Sequence, residues 1–146
     1  MTDDPFDLNR FVEAQAPVID VVVAELGRGR KQSHWMWFVF PQVAGLGYSA
    51  MTQRFAISSL EEARTYLAHP VLGERLRRCV ELVLQVENRS AHQIFGSPDD
   101  MKFRSSLTLF SEASGEEVFL RALDRYFAGA ADSATLKILN RQGGPN

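Results

Sequence analysis

Apolar residues recur at intervals of three, four and seven positions along the first stretch of this chain, a spacing that places them on one face of an α-helix. Asp7 can cap the start of such a helix and Gly27 can end it. Pro17 lies inside the pattern, and because proline removes a helical hydrogen bond, we expect a kink or break near Ala16. The stretch therefore predicts one bent helix or two short ones. The apolar positions are Leu8, Phe11, Val12, Ile19, Val22, Val23 and Leu26.

Signals that start and stop helices repeat along the rest of the chain. Ser59 and Glu62 have the spacing of a capping box, and Pro70 can stop that helix and open the next one. No segment shows a convincing alternation of apolar and polar residues, and no Asn-Gly or Asp-Gly hairpin signal occurs. We predict an all-α fold of about six to eight helices with no substantial sheet. Further caps and stops are predicted at Ser90, Gly96, Ser97, Pro98, Ser114 with Glu117, Gly129 and Asp132.

Length and composition fit one compact globular domain. The 146 residues are 45% hydrophobic and 23% charged, an ordinary globular balance. We interpret residues 1–146 as a single domain with an ordered core at about 7–139 and a polar tail at 140–146. The single cysteine, Cys79, cannot form an internal disulfide, and its apolar surroundings on a predicted helix indicate a core residue.

Charge and hydropathy restrict the compartment and the partners. The acidic first residues, MTDDPFDLNR, lack the basic start and apolar stretch of a secretory signal. No run of apolar residues approaches the length that crosses a membrane. We therefore expect a cytoplasmic protein with no membrane partner. The net charge of −2 gives no global attraction to phosphate backbones, which argues against nucleic acid as a partner.

The segment KQSHWMWFVFPQ, residues 31–42, places six consecutive apolar residues after a basic residue, a hydroxyl and an imidazole. A lone strand would have no partner in an all-α fold, so we predict a short helix capped by Ser33, or an irregular core segment. One helical turn cannot bury six large side chains on one face, and they must radiate around it. Two interpretations stay open: the segment is pure core, or Trp35 or Trp37 lines a ligand pocket.

A second polar cluster lies within SPDDMKFRSSLTLF, residues 97–110. Lys102 and Ser106 stand four residues apart on a predicted helix, where they could offer an ammonium and a hydroxyl to one ligand. Alternatively, Lys102 is solvated and the serines bond back to helical carbonyls. Aromatic rings stack on bases and cations neutralise phosphate, so we expect a small anionic or nucleotide-like ligand between the 33–42 segment and the 98–110 helix. The candidate binding residues are Lys31, His34, Trp35, Trp37, Gln42, Lys102, Ser105 and Ser106.

Other chemistries find little support in the sequence. His34, His69 and His92 are scattered without a second ligand at metal-binding spacing, so no metal site is predicted. No phosphate-binding loop is present, no cofactor is predicted and no catalytic residue can be assigned. An alternative function is a protein-interaction module with an exposed aromatic patch formed by Trp35, Trp37 or Tyr48. Such a patch could also be covered in a homo-oligomer.

Three blocks of the sequence, GRKQSHWMWFVFPQ, YLAHPVLGERLRRC and IFGSPDDMKFRSSLTLF, resemble the domain-of-unknown-function 1810 family. The likeness runs from about Leu8 to Leu139. It implies a bacterial protein with a multihelical fold, and it implies no particular reaction, ligand or catalytic residue. Some members of this family are labelled calpastatin. Calpain inhibitors of that type are disordered and repetitive, whereas this sequence predicts a packed core.

Overall fold

Ten α-helices follow one another in the computed structural model, which describes residues 3–143. The only pairing of β type within this range is one isolated parallel bridge between Val43 and Ile57. The predicted all-α class is confirmed over the described residues. The helices are α1 Asn9–Gln15, α2 Ile19–Gly27, α3 Met36–Val39, α4 Ala50–Arg54, α5 Leu60–Ala68, α6 Leu72–Leu84, α7 Ala91–Phe95, α8 Asp99–Ser114, α9 Glu117–Phe127 and α10 Ser133–Gln142.

The predicted number of six to eight helices is too low. The first apolar stretch forms two separate helices, because α1 ends at Gln15 and α2 begins only at Ile19, on either side of Pro17. The expected break near Ala16 is thus confirmed. Helix α4 was not predicted; it has five residues, and Ser49 caps it by accepting the backbone N–H of Thr52 at 3.1 Å.

Three of the predicted helix caps are present in the structure. Ser59 accepts the N–H of Glu62, but the Glu62 carboxylate accepts the N–H of Ser58 and not that of Ser59, so the predicted capping box is only half formed. Ser90 forms a complete capping box with Gln93. Asp132 caps α10 by accepting the N–H of Thr135 at 3.0 Å. These signals succeed because a capping side chain and its acceptor or donor lie within one turn of each other in the chain.

The starts of α1, α6, α8 and α9 differ from the predictions. Asp7 does not cap α1, since its backbone adopts a left-handed φ of 52°, and the Asp4 carboxylate instead accepts the N–H groups of Leu8 and Asn9. The side chain of Ser97 does not cap α8, which has Pro98 at its N-cap position and begins at Asp99.

The other two differences lie at the starts of α6 and α9. Pro70 is not the first residue of α6; the ring of His69 caps that helix, because Nδ1 accepts the N–H groups of Val71 and Leu72 at 3.1 and 3.2 Å. Ser114 belongs to the end of α8, and its hydroxyl accepts the N–H of Glu116 without forming a capping box with Glu117.

The predicted polar tail is partly helical. Helix α10 continues through Gln142, three residues beyond the predicted end at Leu139. Residues 140–142 therefore belong to the helix, and residues 144–146 lie outside the described range. No helix within residues 3–143 has both the length and the apolar character needed to cross a membrane.

Helix α8 lies at the centre of the hydrophobic core, where it packs against α5, α7, α9 and α10. Phe103, Leu107 and Phe110 are buried on it, as predicted. The ring of Phe103 stacks on Phe95 with 4.6 Å between centroids. Cys79 is also a core residue, and burial raises the pKa of its thiol to about 12. The thiol is therefore protonated near neutral pH and shielded from reagents.

Candidate functional site

The aromatic segment after α2 is mostly core. Trp35, Phe38 and Phe40 are buried, and only Trp37 among its rings is half-buried. Helix α3 is a single turn, with Trp35 at its N-cap position and no capping side chain. The predicted cap by Ser33 is wrong, because the hydroxyl of Ser33 donates to the Glu25 carboxylate at 2.6 Å.

Glu25, a buried residue of α2, organises the turn that leads into this segment. One carboxylate oxygen accepts the backbone N–H groups of Gln32 and Ser33 and the indole N–H of Trp35 at 2.8, 3.0 and 2.9 Å. The other accepts the Ser33 hydroxyl. Desolvation by burial raises the pKa of Glu25, but these hydrogen bonds outweigh it and lower the pKa to about 2. The carboxylate is therefore charged and fixes the path of residues 32–35.

Lys31 is held from three sides at the start of the segment. Its Nζ lies 2.8 Å from Oδ2 of Asp99, donates to the carbonyl of Ser33 at 2.6 Å and stands 5.0 Å above the ring of Trp35. Only 7% of the side chain is exposed. A buried lysine needs such partners to remain charged. Lys31 thus links the aromatic segment to the first turn of α8.

Lys102 is held more loosely on the other side of the same carboxylate. Its Nζ is 3.8 Å from Oδ1 of Asp99, which is beyond hydrogen-bond distance, and 5.3 Å from the ring centre of Trp37. The side chain is 23% exposed. Asp99 therefore lies between two ammonium groups and makes a close contact with only one of them.

A pocket of about 310 Å³ opens between the aromatic segment and the start of α8. Of the predicted site residues, it brings together Lys31, His34, Trp37 and Lys102. Two ammonium groups and one carboxylate give it an excess of positive charge. We call this space the first pocket. It is completed by Met36, Ser97, Pro98 and Asp99.

A second pocket, of about 260 Å³, adjoins the first along α8 and shares Pro98 and Lys102 with it. Two other predicted site residues, Gln42 and Ser105, line this second pocket. The hydroxyl of Ser105 donates to the carbonyl of Met101 at 3.1 Å, in the local bonding pattern that is usual for helical serines.

The structure does not bring Trp35 or Ser106 to either pocket. Each is only 1% exposed. The indole of Trp35 is turned inward to Glu25. Ser106 was predicted to offer its hydroxyl to a ligand, but other helices surround α8 there and bury every residue from Ser106 to Ser111. A central helix has no exposed flank there for a ligand to reach.

Sequence reasoning missed two acidic residues of this region. Asp99 is not among the predicted site residues, although its three-residue spacing from Lys102 is a signal of contact. Glu25 falls three residues after Val22 and beside Leu26, so its position on the apolar face of α2 could have indicated a buried carboxylate with partners. Among residues 3–143, no three His, Cys, Asp or Glu side chains gather as metal ligands.

Comparison with known proteins places the chain in a family. It is 54% identical to the crystallised "conserved hypothetical protein Rv1873 from Mycobacterium tuberculosis", with a TM-score of 0.93 over 94% of this chain and 99% of that one. No curated protein matches it. A family model described as "Protein of unknown function (DUF1810)" matches residues 5–139. As the resemblance of its three blocks predicted, the chain belongs to the DUF1810 family.

Proposed function

We propose that this protein binds a small anionic or nucleotide-like ligand in the first pocket. The observation that carries the proposal is the meeting of Trp37 and Lys102 in one pocket, with 5.3 Å between the ammonium and the ring centre. These residues come from different blocks of the sequence. An aromatic face beside a cation is an arrangement that suits a ring bearing an anionic group.

The two lysines have different roles in this proposal. Lys31 already has close partners in Asp99 and the Ser33 carbonyl, so it is a structural link that contributes charge. Lys102 has no close contact with Asp99 and is partly exposed, so its ammonium can turn to an incoming anion. A charge-assisted hydrogen bond to phosphate or carboxylate is shorter and stronger than a neutral one. Lys102 is therefore the proposed anion-binding residue.

The half-buried ring of Trp37 is the proposed stacking surface. Stacking on an aromatic side chain contributes about 1–3 kcal/mol per base. His34 lines the same pocket and offers a ring nitrogen to the ligand. The expected ligand therefore combines a flat ring with a negative charge, as a nucleoside monophosphate does.

Isothermal titration calorimetry with adenosine monophosphate, adenosine and inorganic phosphate tests the proposal. Adenosine monophosphate should bind more tightly than either fragment, and Lys102→Met should weaken its binding by about tenfold or more. Trp37→Ala should weaken adenosine and adenosine monophosphate alike. Lys137→Met is the matched control, because Lys137 is exposed on α10 and lines neither pocket. Absence of heat for all three ligands would overturn the proposal for nucleotides.

A second candidate, protein interaction, is favoured by Tyr48. Its side chain is 87% exposed on the loop before α4, so an aromatic ring is available to a partner there. Trp35 cannot join such a patch because it is buried. If this patch mediates self-association, light scattering should show a mass that rises with concentration and falls to the monomer value in Tyr48→Ser. If the protein is monomeric at all concentrations, Tyr48 does not mediate self-association, and the partner in this candidate function is a different protein.

A further inference from the structure

The second pocket has a different chemistry from the first, although the two share a wall. Its polar side chains include Gln42, Thr52, Ser105 and Asp132. Apart from the shared Lys102, they supply neutral donors and acceptors and one carboxylate. A second anion would meet the carboxylate of Asp132, so this pocket favours a neutral group.

The hydrogen bonds within the protein determine which donors and acceptors of the second pocket remain free to bind a ligand. The Ser105 hydroxyl uses its proton on the Met101 carbonyl, which leaves its oxygen as an acceptor. The Thr52 hydroxyl accepts from the Ser49 hydroxyl at 2.8 Å, which leaves its own proton to donate. The side-chain amide of Gln42 has two N–H donors and one acceptor oxygen. A hydroxyl group both donates and accepts, and is the complement of such a mixed set.

The backbone at this wall is fixed. The Gln42 carbonyl accepts the N–H of Ile57 at 2.9 Å, and the N–H of Ala44 donates to the Ile57 carbonyl at 2.8 Å. Asp132 is held as the cap of α10, since its Oδ2 accepts both the N–H and the hydroxyl of Thr135. Side chains on a fixed backbone lose less conformational entropy on binding.

The positions of three side chains, one on α3 and two on α8, define the order of the parts of the ligand. Trp37 lies in the first pocket, Lys102 on the shared wall and Ser105 in the second pocket, three residues further along the helix, which is a rise of about 4.5 Å. The first pocket alone is at the lower end of the range of about 300–1,000 Å³ for small-molecule sites. A ligand that fills both pockets is therefore larger than a nucleoside monophosphate.

We infer that the second pocket is a subsite for a neutral, hydroxyl-bearing group, linked through an anion at Lys102 to a ring at Trp37. This inference rests on the proposed function and extends it by naming the ligand class. Nucleotides whose phosphate carries a hydroxylated group, such as nucleoside diphosphate sugars, have these three parts in this order.

Three probes separate the parts in calorimetric titrations of the full chain. Adenosine monophosphate has the ring and the anion, glucose 1-phosphate has the anion and the hydroxyls, and ADP-glucose has all three. ADP-glucose should bind with a Kd at least about tenfold below that of either smaller probe. Gln42→Ala should remove this advantage and leave the Kd of adenosine monophosphate within about twofold of its original value.

The controls separate a binding effect from a folding effect. Gln85→Ala removes an exposed glutamine at the end of α6 that lines neither pocket, and should leave all three affinities unchanged. Thr52→Val keeps the shape of the side chain, and should reduce the advantage of ADP-glucose even if Gln42→Ala does not fold.

The outcomes distinguish this inference from the proposed function. If ADP-glucose and adenosine monophosphate bind equally well, the second subsite is wrong while the nucleotide pocket stands. The same conclusion follows if Gln42→Ala and Thr52→Val, both folded, leave the advantage of ADP-glucose intact. If glucose 1-phosphate binds as tightly as ADP-glucose, the ring at Trp37 is wrong. If no probe binds, the proposed function fails for nucleotides and the inference fails with it.

Discussion

The indole N–H of Trp35 donates to the buried carboxylate of Glu25 at 2.9 Å, across ten positions of the chain. The same carboxylate accepts three further hydrogen bonds from Gln32 and Ser33. The pair ties α2 to the turn before α3 and therefore fixes the path of residues 31–37, of which Lys31, His34, Met36 and Trp37 line the first pocket. Glu25 acts on the site through this backbone and does not line the pocket itself.

Replacing Glu25 by glutamine should destabilise the protein strongly. The amide keeps one acceptor oxygen but presents an NH₂ group where the carboxylate accepts a hydrogen bond, so a buried donor then faces another donor. We expect the free energy of unfolding to fall by about 2–4 kcal/mol, measured by urea denaturation. Glu61→Gln, at an exposed position of α5, is the control and should change stability by less than about 0.5 kcal/mol. Equal stabilities for the two variants would contradict the role of Glu25.

The same carboxylate predicts how stability depends on pH. The pKa of Glu25 lies at about 2 in the folded protein, against an ordinary value of 4.5, so the unfolded chain takes up this proton at higher pH. The contribution of the ionised Glu25 carboxylate to the free energy of unfolding is complete above about pH 4.5 and is lost as the pH falls towards about 2. Its size is about 3 kcal/mol. Because other carboxylates, including Asp4 and Glu116, also have lowered pKa values, the difference between the wild-type protein and Glu25→Gln isolates this effect. If the wild-type protein and Glu25→Gln differ in free energy of unfolding by the same amount from pH 6 to pH 2, this contribution of Glu25 is wrong.

Removing the charge of Asp99 should have opposite effects on stability and on anion binding. Asp99→Asn leaves the nearly buried ammonium of Lys31 without its ion-pair partner, which should cost about 1–3 kcal/mol in unfolding experiments. It also removes the carboxylate from the first pocket, and we expect adenosine monophosphate to bind several-fold more tightly in calorimetry. Asp100→Asn is the matched control in the same helical turn, because Asp100 lines neither pocket. Weaker binding in a folded Asp99→Asn would show that Asp99 contacts the ligand or holds Lys31 in place for it.

Gly73, in the first turn of α6, should not tolerate a side chain. A Cβ at this position would lie 2.1 Å from the backbone oxygen of Leu67, so α5 and α6 would have to move apart. We expect Gly73→Ala to lower the free energy of unfolding by at least about 2 kcal/mol. Gly27→Ala is the control at the end of α2, where a Cβ meets no atom within 4 Å, and it should be neutral or slightly stabilising. Similar unfolding midpoints for the two variants would contradict this close approach.

The local patterns of this sequence were enough to predict its fold class. The helical spacing of apolar residues, the caps at Ser59, Ser90 and Asp132, and the break at Pro17 each depend on residues within a few positions of one another. Such interactions form in nearly the same way whatever the tertiary context. A predicted cap failed where a residue outside the motif competed for the capping side chain. The hydroxyl of Ser33 donates to Glu25 and therefore does not cap α3.

The candidate site was predictable only in part. The residue types of the first pocket could be read from two blocks, and the structure does bring Lys31, His34, Trp37 and Lys102 together. Which aromatic ring faces the pocket could not be read, because Trp35 and Trp37 have the same chemistry and stand two positions apart. The buried Glu25 carboxylate on α2 decides which ring faces the pocket, since Trp35 turns inward to donate to it and Trp37 does not.

The sequence by itself determined the helical class, most of the helices and the membership of the family, because these depend on short-range patterns. Only the tertiary structure decided that α8 is buried from Ser106 to Ser111, that Ser105 lines a pocket, and that Asp99 stands between Lys31 and Lys102. The physical reason is that burial and charge pairing depend on what lies across the core, and the chain brings those groups together only when it folds.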